Sequence, residues 1–241
     1  MRVLFLIVAR GGSKGIPNKN LLKIGGISLV GFKAISARKC RHCTRLIIST
    51  DSEEIQEDAR RYGVEVLFTR PSVLALDTAP TDAVIQHAMD YMDTLTGDRF
   101  DALMLLEPSS PFATHLDYDK SIEMMLAKDA AVVLGMRDAP VNSAFQGPMD
   151  AEMRMSDLVR KIMKLSGLRR QDTVPEYTMN GALYLIKWNT FKEHGARYCD
   201  PDHTFGLLME REYSLEIDEP ADFEYAQFLV ESGRVDMAYW K

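Results

Sequence analysis

Residues 3–20 read VLFLIVARGGSKGIPNKN, and the fold follows from them. The run Val3–Ala9 is apolar without interruption. That pattern predicts a strand buried on both faces, as parallel strands covered by helices on either side require. The next residues are of another kind. Gly11, Gly12 and Gly15 allow the backbone positive φ and a close approach to a ligand, while Arg10, Lys14 and Lys19 bring full positive charge. A glycine- and cation-rich loop after a first strand lies where open α/β sheets bind ligands, and its chemistry suits a polyphosphate. The spacing is neither that of a Walker A loop, because Lys14 falls between Ser13 and Gly15, nor that of the dinucleotide fingerprint G-x-G-x-x-G.

Further along, strand and helix signals alternate. Helices are expected over Ile27–Arg38, from Ser52 (a cap) to Gly63, over Thr81–Leu95, over Asp117–Leu126 and over Ala221–Ser232. Strands are expected over Leu46–Thr50, Val64–Phe68, Ala102–Leu106, Ala130–Met136, Thr178–Trp188 and Tyr213–Ile217. Repeated βα units of this length predict an α/β fold with a doubly wound, mostly parallel sheet and right-handed crossovers. The 241 residues suit one large domain with a modest insertion. The regularity breaks between Asp138 and Glu176, a polar stretch holding Arg160, Lys161, Lys164, Arg169 and Arg170. It reads either as a surface excursion or as an arm packed on a second subunit.

The net charge of −6 argues against nucleic-acid and anionic-membrane partners. Met1-Arg2 and the apolar run imitate a signal peptide weakly, but Arg10 and Gly11 stand where a small-residue cleavage site would be. With no run long enough to span a membrane, a cytoplasmic protein is expected. Three cysteines fit a reducing compartment. Cys40-Arg41-His42-Cys43 looks like half a zinc site, yet no second pair stands at ligand spacing, so packing and surface thiols are expected.

Polar residues gather where strands end: Thr50-Asp51-Ser52, Glu107-Pro108-Ser109-Ser110-Pro111, Asn180-Gly181-Ala182 and Glu216-Ile217-Asp218. In extended chain, residues i and i+2 face one side, so Glu216 and Asp218 present two carboxylates together. Like charges that close call for a cation, and Mg²⁺ carried by a nucleoside triphosphate is the cation expected.

The string Arg10–Asn20, R-G-G-S-K-G-I-P-N-K-N, resembles the N-terminal signature of the CMP-sialic acid synthetases, the acylneuraminate cytidylyltransferase family. The resemblance runs in order from Leu4 to about Phe223 and is weakest between Pro140 and Lys164. It implies a Rossmann-like nucleotidyltransferase of residues 1–241 that dimerises through an insertion at about 138–176. It further implies that Arg10, Lys19 and Asp218 carry catalysis. Ala9, Gly11, Gly12, Ser13, Lys14, Asn20, Arg70 and Thr81 would bind CTP, with Asp77 in the segment that meets cytosine. Glu107, Ser110, Arg170, Gln171, Asn180 and Gly181 would receive an acidic sugar, and Glu216 with Asp218 would hold Mg²⁺. Three residues depart from the family's usual pattern: Glu107 stands for Gln, Ala113 for Arg and Glu216 for Asp. The expected reaction joins a nine-carbon 2-keto sugar acid to CMP. A sister enzyme of the eight-carbon sugar Kdo, or a nucleotide-binding homologue without turnover, is the alternative.

Overall fold

The computed structural model describes all residues except 96–98 and 165–173. Its centre is a six-stranded sheet of β1 (Val3–Val8), β4 (Cys43–Ser49), β5 (Ala102–Leu106), β6 (Val132–Asp138), β7 (Tyr177–Lys187) and β8 (Thr204–Leu208), in the order β4-β1-β5-β7-β6-β8. β7 pairs antiparallel with both β5 and β6, and the remaining pairings are parallel. The expectation of a mostly parallel sheet therefore holds.

Alternation along β1 explains why its sequence is apolar throughout. Val3, Phe5 and Ile7 face a core built with Val30, Ala34 and Ala37 of α1 (Leu29–Lys39), Ile55 and Ala59 of α2 (Glu53–Arg61), and Tyr118 and Ile122 of α4 (His115–Lys128). Leu4 and Leu6 face the opposite layer, where α3 (Thr81–Leu95) and α6 (Trp188–His194) contribute Ile85, Met89, Met92, Trp188 and Phe191. Each of the five residues Val3–Ile7 is fully buried. At about 1.5–3 kcal/mol for each large apolar side chain, this strand is a major source of stability. The methionines of α3 are core filling, as their helical spacing predicts.

A third cluster lies beside the glycine loop. Ile16 from the loop, Ile24 of the small hairpin β2–β3 (Lys23–Ile24 and Ile27–Ser28), Phe32, Phe112, Ile217, and Ala226 and Leu229 of α7 (Pro220–Glu231) pack with Trp240. This cluster ties the loop to the segment carrying Glu216 and Asp218.

Local signals account for several boundaries. The Ser28 hydroxyl accepts from Gly31 N to cap α1, and Ser52 Oγ accepts from Ile55 N to cap α2. Two expected strands are absent. Val64–Phe68 makes only a single bridge, Ile47 to Glu65, and its apolar residues serve packing: Val64 and Val66 fill one core, Leu67 and Phe68 the other. Tyr213–Ile217 is a 3-10 turn at Glu212–Ser214 followed by extended chain, tied by Ile217 N donating to Ser109 O at 2.7 Å. The edge of the sheet beside β6 is taken instead by β8, a short and partly exposed strand.

The break in regularity after Asp138 is also visible. α5 (Ser156–Lys164) buries none of its residues, and Val159, Ile162 and Met163 are exposed on it. Cys40 is buried with its thiol donating to Asp119 Oδ1, and burial pushes that thiol up to about 12. Among the described residues no helix is long and apolar enough to cross a membrane.

Candidate active site

A cavity of about 640 Å³ opens beyond the C-terminal ends of β1, β4 and β5. The chain passes from β1 to β4 on one side and later to β5 on the other, so the cavity lies at the reversal of strand order where ligands bind such sheets. Of the residues expected in the site, Arg10, Ser13, Lys14, Lys19, Asn20, Arg70, Thr81, Glu107, Glu216 and Asp218 line it.

The loop is held open by its own polar contacts. Asn20, almost fully buried, donates from Nδ2 to Arg10 O at 2.9 Å, and Gly11 N donates to Asp51 Oδ1 at 3.0 Å. Ala9 is buried and donates to Ser49 O. Lys19 Nζ reaches across to Ile217 O at 2.7 Å and Asp218 Oδ1 at 3.1 Å. Arg10 and Lys14 both pair with Asp77, whose carboxyl is held below its usual range by hydrogen bonds first from Lys14 and then from Arg10. The glycines do not act through positive φ as expected: only Asn18 in this loop is left-handed. Gly15 is needed for space, because a Cβ there would lie 2.2 Å from Asp218 O. Gly11 and Gly12 do not line the cavity, and Ala9 sits behind it.

Opposite the cations stand the carboxylates. Ile217 points into the third core cluster, so Glu216 and Asp218 face the cavity from its two sides in sequence. The i, i+2 relation survives although the segment is not a strand of the sheet. Burial raises the Glu216 carboxyl, and Asp218 raises it further. Glu107, at the end of β5, is raised to about 7, chiefly by burial; Arg197 lowers it and Glu216 raises it. Among the described residues no group of three or more His, Cys, Asp or Glu is arranged to hold a metal ion. Glu216 and Asp218 alone fit the way Mg²⁺ is bound through one or two carboxylates with phosphates and water completing the shell.

Ser110, Asn180 and Gly181 lie just beneath the cavity wall. Ser110 Oγ donates to Asn180 O at 2.7 Å, and Asn180 Oδ1 accepts from Ala182 N at 3.1 Å. Gly181 has φ +65°, and a Cβ on it would meet Glu216 Oε1 at 2.9 Å, Ser110 Oγ at 3.1 Å and Glu107 Oε2 at 3.3 Å. Both glutamates therefore converge on this one glycine. Arg70 is buried, donating from Nε to Ser49 Oγ at 3.0 Å and from Nη2 to Ser49 O at 2.5 Å; burial lowers its guanidinium to about 10. Arg170 and Gln171 lie outside the described residues.

Two cations here carry no sequence motif. Arg197 lies over the rings of Tyr184 and Tyr198, with Nε 2.7 Å from Asp82 and Nη1 3.9 Å from Glu107. Lys33, on the buried face of α1, donates to Ala182 O. A lysine at an otherwise apolar helix position was the available signal for the second.

The model of the cytidylyltransferase family matches residues 4–174. Over 229 residues the chain is 29% identical to the post-translational flagellin modification protein B of Campylobacter coli, covering 95% of this chain and 94% of that one. It is 30% identical to the N-acylneuraminate cytidylyltransferase of Escherichia coli O18:K1:H7 (strain RS218 / NMEC) over 93% of this chain, and spans 51% of that longer protein. It is 29% identical to the CMP-N,N'-diacetyllegionaminic acid synthase of Campylobacter jejuni, with 95% and 94% covered. A solved CMP:2-keto-3-deoxy-manno-octonic acid synthetase complexed with CTP shares the fold at TM-score 0.68 and 14% identity, covering 96% of this chain and 99% of that one. The sequence signature, the sheet and the cavity at its reversal point agree with these matches: the chain belongs to the cytidylyltransferase family.

Proposed function

We propose that this cytidylyltransferase activates a nonulosonic acid, a nine-carbon 2-keto sugar acid, by transferring CMP to it from CTP. The observation that carries the reading is the meeting of Arg10, Lys14 and Lys19 with Glu216 and Asp218 around one cavity. Cations suit the triphosphate, and paired acids suit the metal that travels with it. The sugar's anomeric hydroxyl attacks the α-phosphorus; a new O–P bond forms, the hydroxyl's proton is released to solvent, the bond to the bridging oxygen of the β-phosphate breaks, and pyrophosphate leaves. Arg10 and Lys19 stabilise charge on the phosphates, while Asn20 fixes the backbone that carries Arg10. Ala9, Gly11, Gly12 and Ser13 complete the loop, and Arg70 and Thr81 close the nucleotide side. Glu107, Ser110, Asn180 and Gly181 form the sugar side. Mg²⁺ held by Glu216 and Asp218 would supply charge neutralisation for the triphosphate.

The molecule works as a homodimer in this reading, with residues 138–176 reaching the partner and Arg170 and Gln171 serving the partner's sugar pocket. What supports this is the apolar surface left exposed on α5 beside a basic cluster. The test is pyrophosphate release with CTP, Mg²⁺ and a panel of sugar acids that includes sialic, legionaminic and pseudaminic acids and Kdo. Release with a nonulosonic acid is expected. Release with Kdo alone would move the enzyme to the eight-carbon class, and release with none would leave a nucleotide-binding homologue.

A further inference from the structure

Lys33 is fully buried, an expensive position for a lysine. Among the described residues its ammonium has one hydrogen-bond acceptor, Ala182 O at 2.9 Å, and it lies 5.9 Å from the centre of the Tyr118 ring. Ala182 follows Gly181, the residue on which Glu107 Oε2 and Glu216 Oε1 converge. The buried lysine thus stands directly behind the backbone that separates it from the two glutamates. Glu107 exerts the strongest charge–charge effect on it, ahead of Asp117 and Glu216, while desolvation dominates and lowers the ammonium to about 7. On its other side Glu107 faces Arg197, whose Nη1 is 3.9 Å away and whose charge lowers the Glu107 carboxyl more than that of Lys33 does, while Arg197 Nε meets Asp82 at 2.7 Å, so Glu107 shares its main counter-charge with Asp82.

We propose that Lys33 is a positioning residue of the active site: it clamps the Ala182 carbonyl and offsets Glu107 from behind, so that the sugar side of the cavity depends on it and the nucleotide side does not. The inference rests on the assignment of Glu107 and Gly181 to the sugar side. Its physical core, however, is the coupling of two buried titratable groups across the Gly181–Ala182 backbone, which can be measured without turnover. Removing one member of such a pair strands the other, whereas removing both is far better tolerated.

The experiment is a double-variant cycle on the full chain at neutral pH, using Lys33→Met, Glu107→Gln and both together. Lys33→Met should lower Tm by roughly 5–15 °C, and the double variant should recover at least half of that loss. An unchanged Tm in Lys33→Met, or a double variant whose loss is the sum of the singles, would overturn the pairing. If Lys33→Met does not fold, a folded double variant supports the proposal and an unfolded one overturns it. Kinetically, Lys33→Met should raise KM for the sugar acid at least tenfold while KM for CTP stays within about threefold. Equal changes in both would reduce Lys33 to general scaffolding. Wild-type enzyme inert toward every sugar acid would defeat the functional reading alone, leaving the thermal cycle to judge Lys33.

Discussion

Glu107 carries a measurable signature at the residue scale. Its carboxyl is raised from 4.5 to about 7, first by burial, with Glu216 and Asp218 adding to the shift while Arg197 and Lys33 oppose it. Between those two values the folded chain holds a proton that the unfolded chain has lost, so stability should fall as pH rises from about 4.5 through about 7. Glu107→Gln should flatten that slope in denaturation curves measured across the range. A slope that persists unchanged belongs to Glu216, raised in the same direction. On the loop, Arg10→Ala should lower kcat by roughly 10²- to 10³-fold, the scale for losing one preorganised charge-stabilising group, with Tm nearly constant. Lys19→Ala should cost as much in kcat and also some Tm, because Lys19 bonds Ile217 O and Asp218. Full turnover in both variants would remove the polyphosphate assignment.

The segment Leu215–Asp218 shows at the element scale why the site was partly legible in the sequence. Alternation of Glu, Ile and Asp placed the two acids on one side, and burial of Ile217 in the third core enforces this. Asp218→Asn should abolish most activity while Tm holds or rises, since a like-charge neighbour of Glu216 is neutralised. Glu216→Asp should retain more activity than Glu216→Gln. A fully active Gln variant would show that Glu216 takes no part in metal binding. The same alternation was misleading about pairing, because apolar periodicity reports burial and not hydrogen-bond partners. Val64–Phe68 fills two cores without a ladder, and β8, exposed along an edge and interrupted by Gly206, offers little periodicity to read. β1, β5 and α3 were legible because each is regular and buried against a continuous layer. Lys33 and Arg197 were not, since their partners come from 149 residues away in one case and from rings and acids on other elements in the other.

Assembly belongs to the whole molecule. Val159, Ile162 and Met163 leave α5 with an uncovered apolar face, and Met149, Met153 and Val174 are exposed in the same segment. If the proposed homodimer forms through this face, Ile162→Glu should shift it toward monomer in light scattering without lowering the Tm, because α5 contributes no residue to the three core clusters. If Arg170 serves the partner's sugar pocket, Arg170→Ala should raise KM for the sugar far more than for CTP. Mixing Arg170→Ala with Arg10→Ala should then regain activity, because each mixed dimer holds one complete site. No regain after verified subunit exchange would return Arg170 to its own subunit or to no site at all.

β7 runs against its neighbours, so its first half reaches the cavity end of the sheet while its last residue lies beside Ala102 at the opposite end. The strand that delivers Asn180 and Gly181 is therefore continuous, within a few residues, with the stretch that would grip a second molecule. If the proposed homodimer forms, catalysis and self-association share a lever arm. Dilution should accordingly erode saturation by the sugar before it erodes saturation by the nucleotide, an order that titrating enzyme concentration against each substrate would reveal.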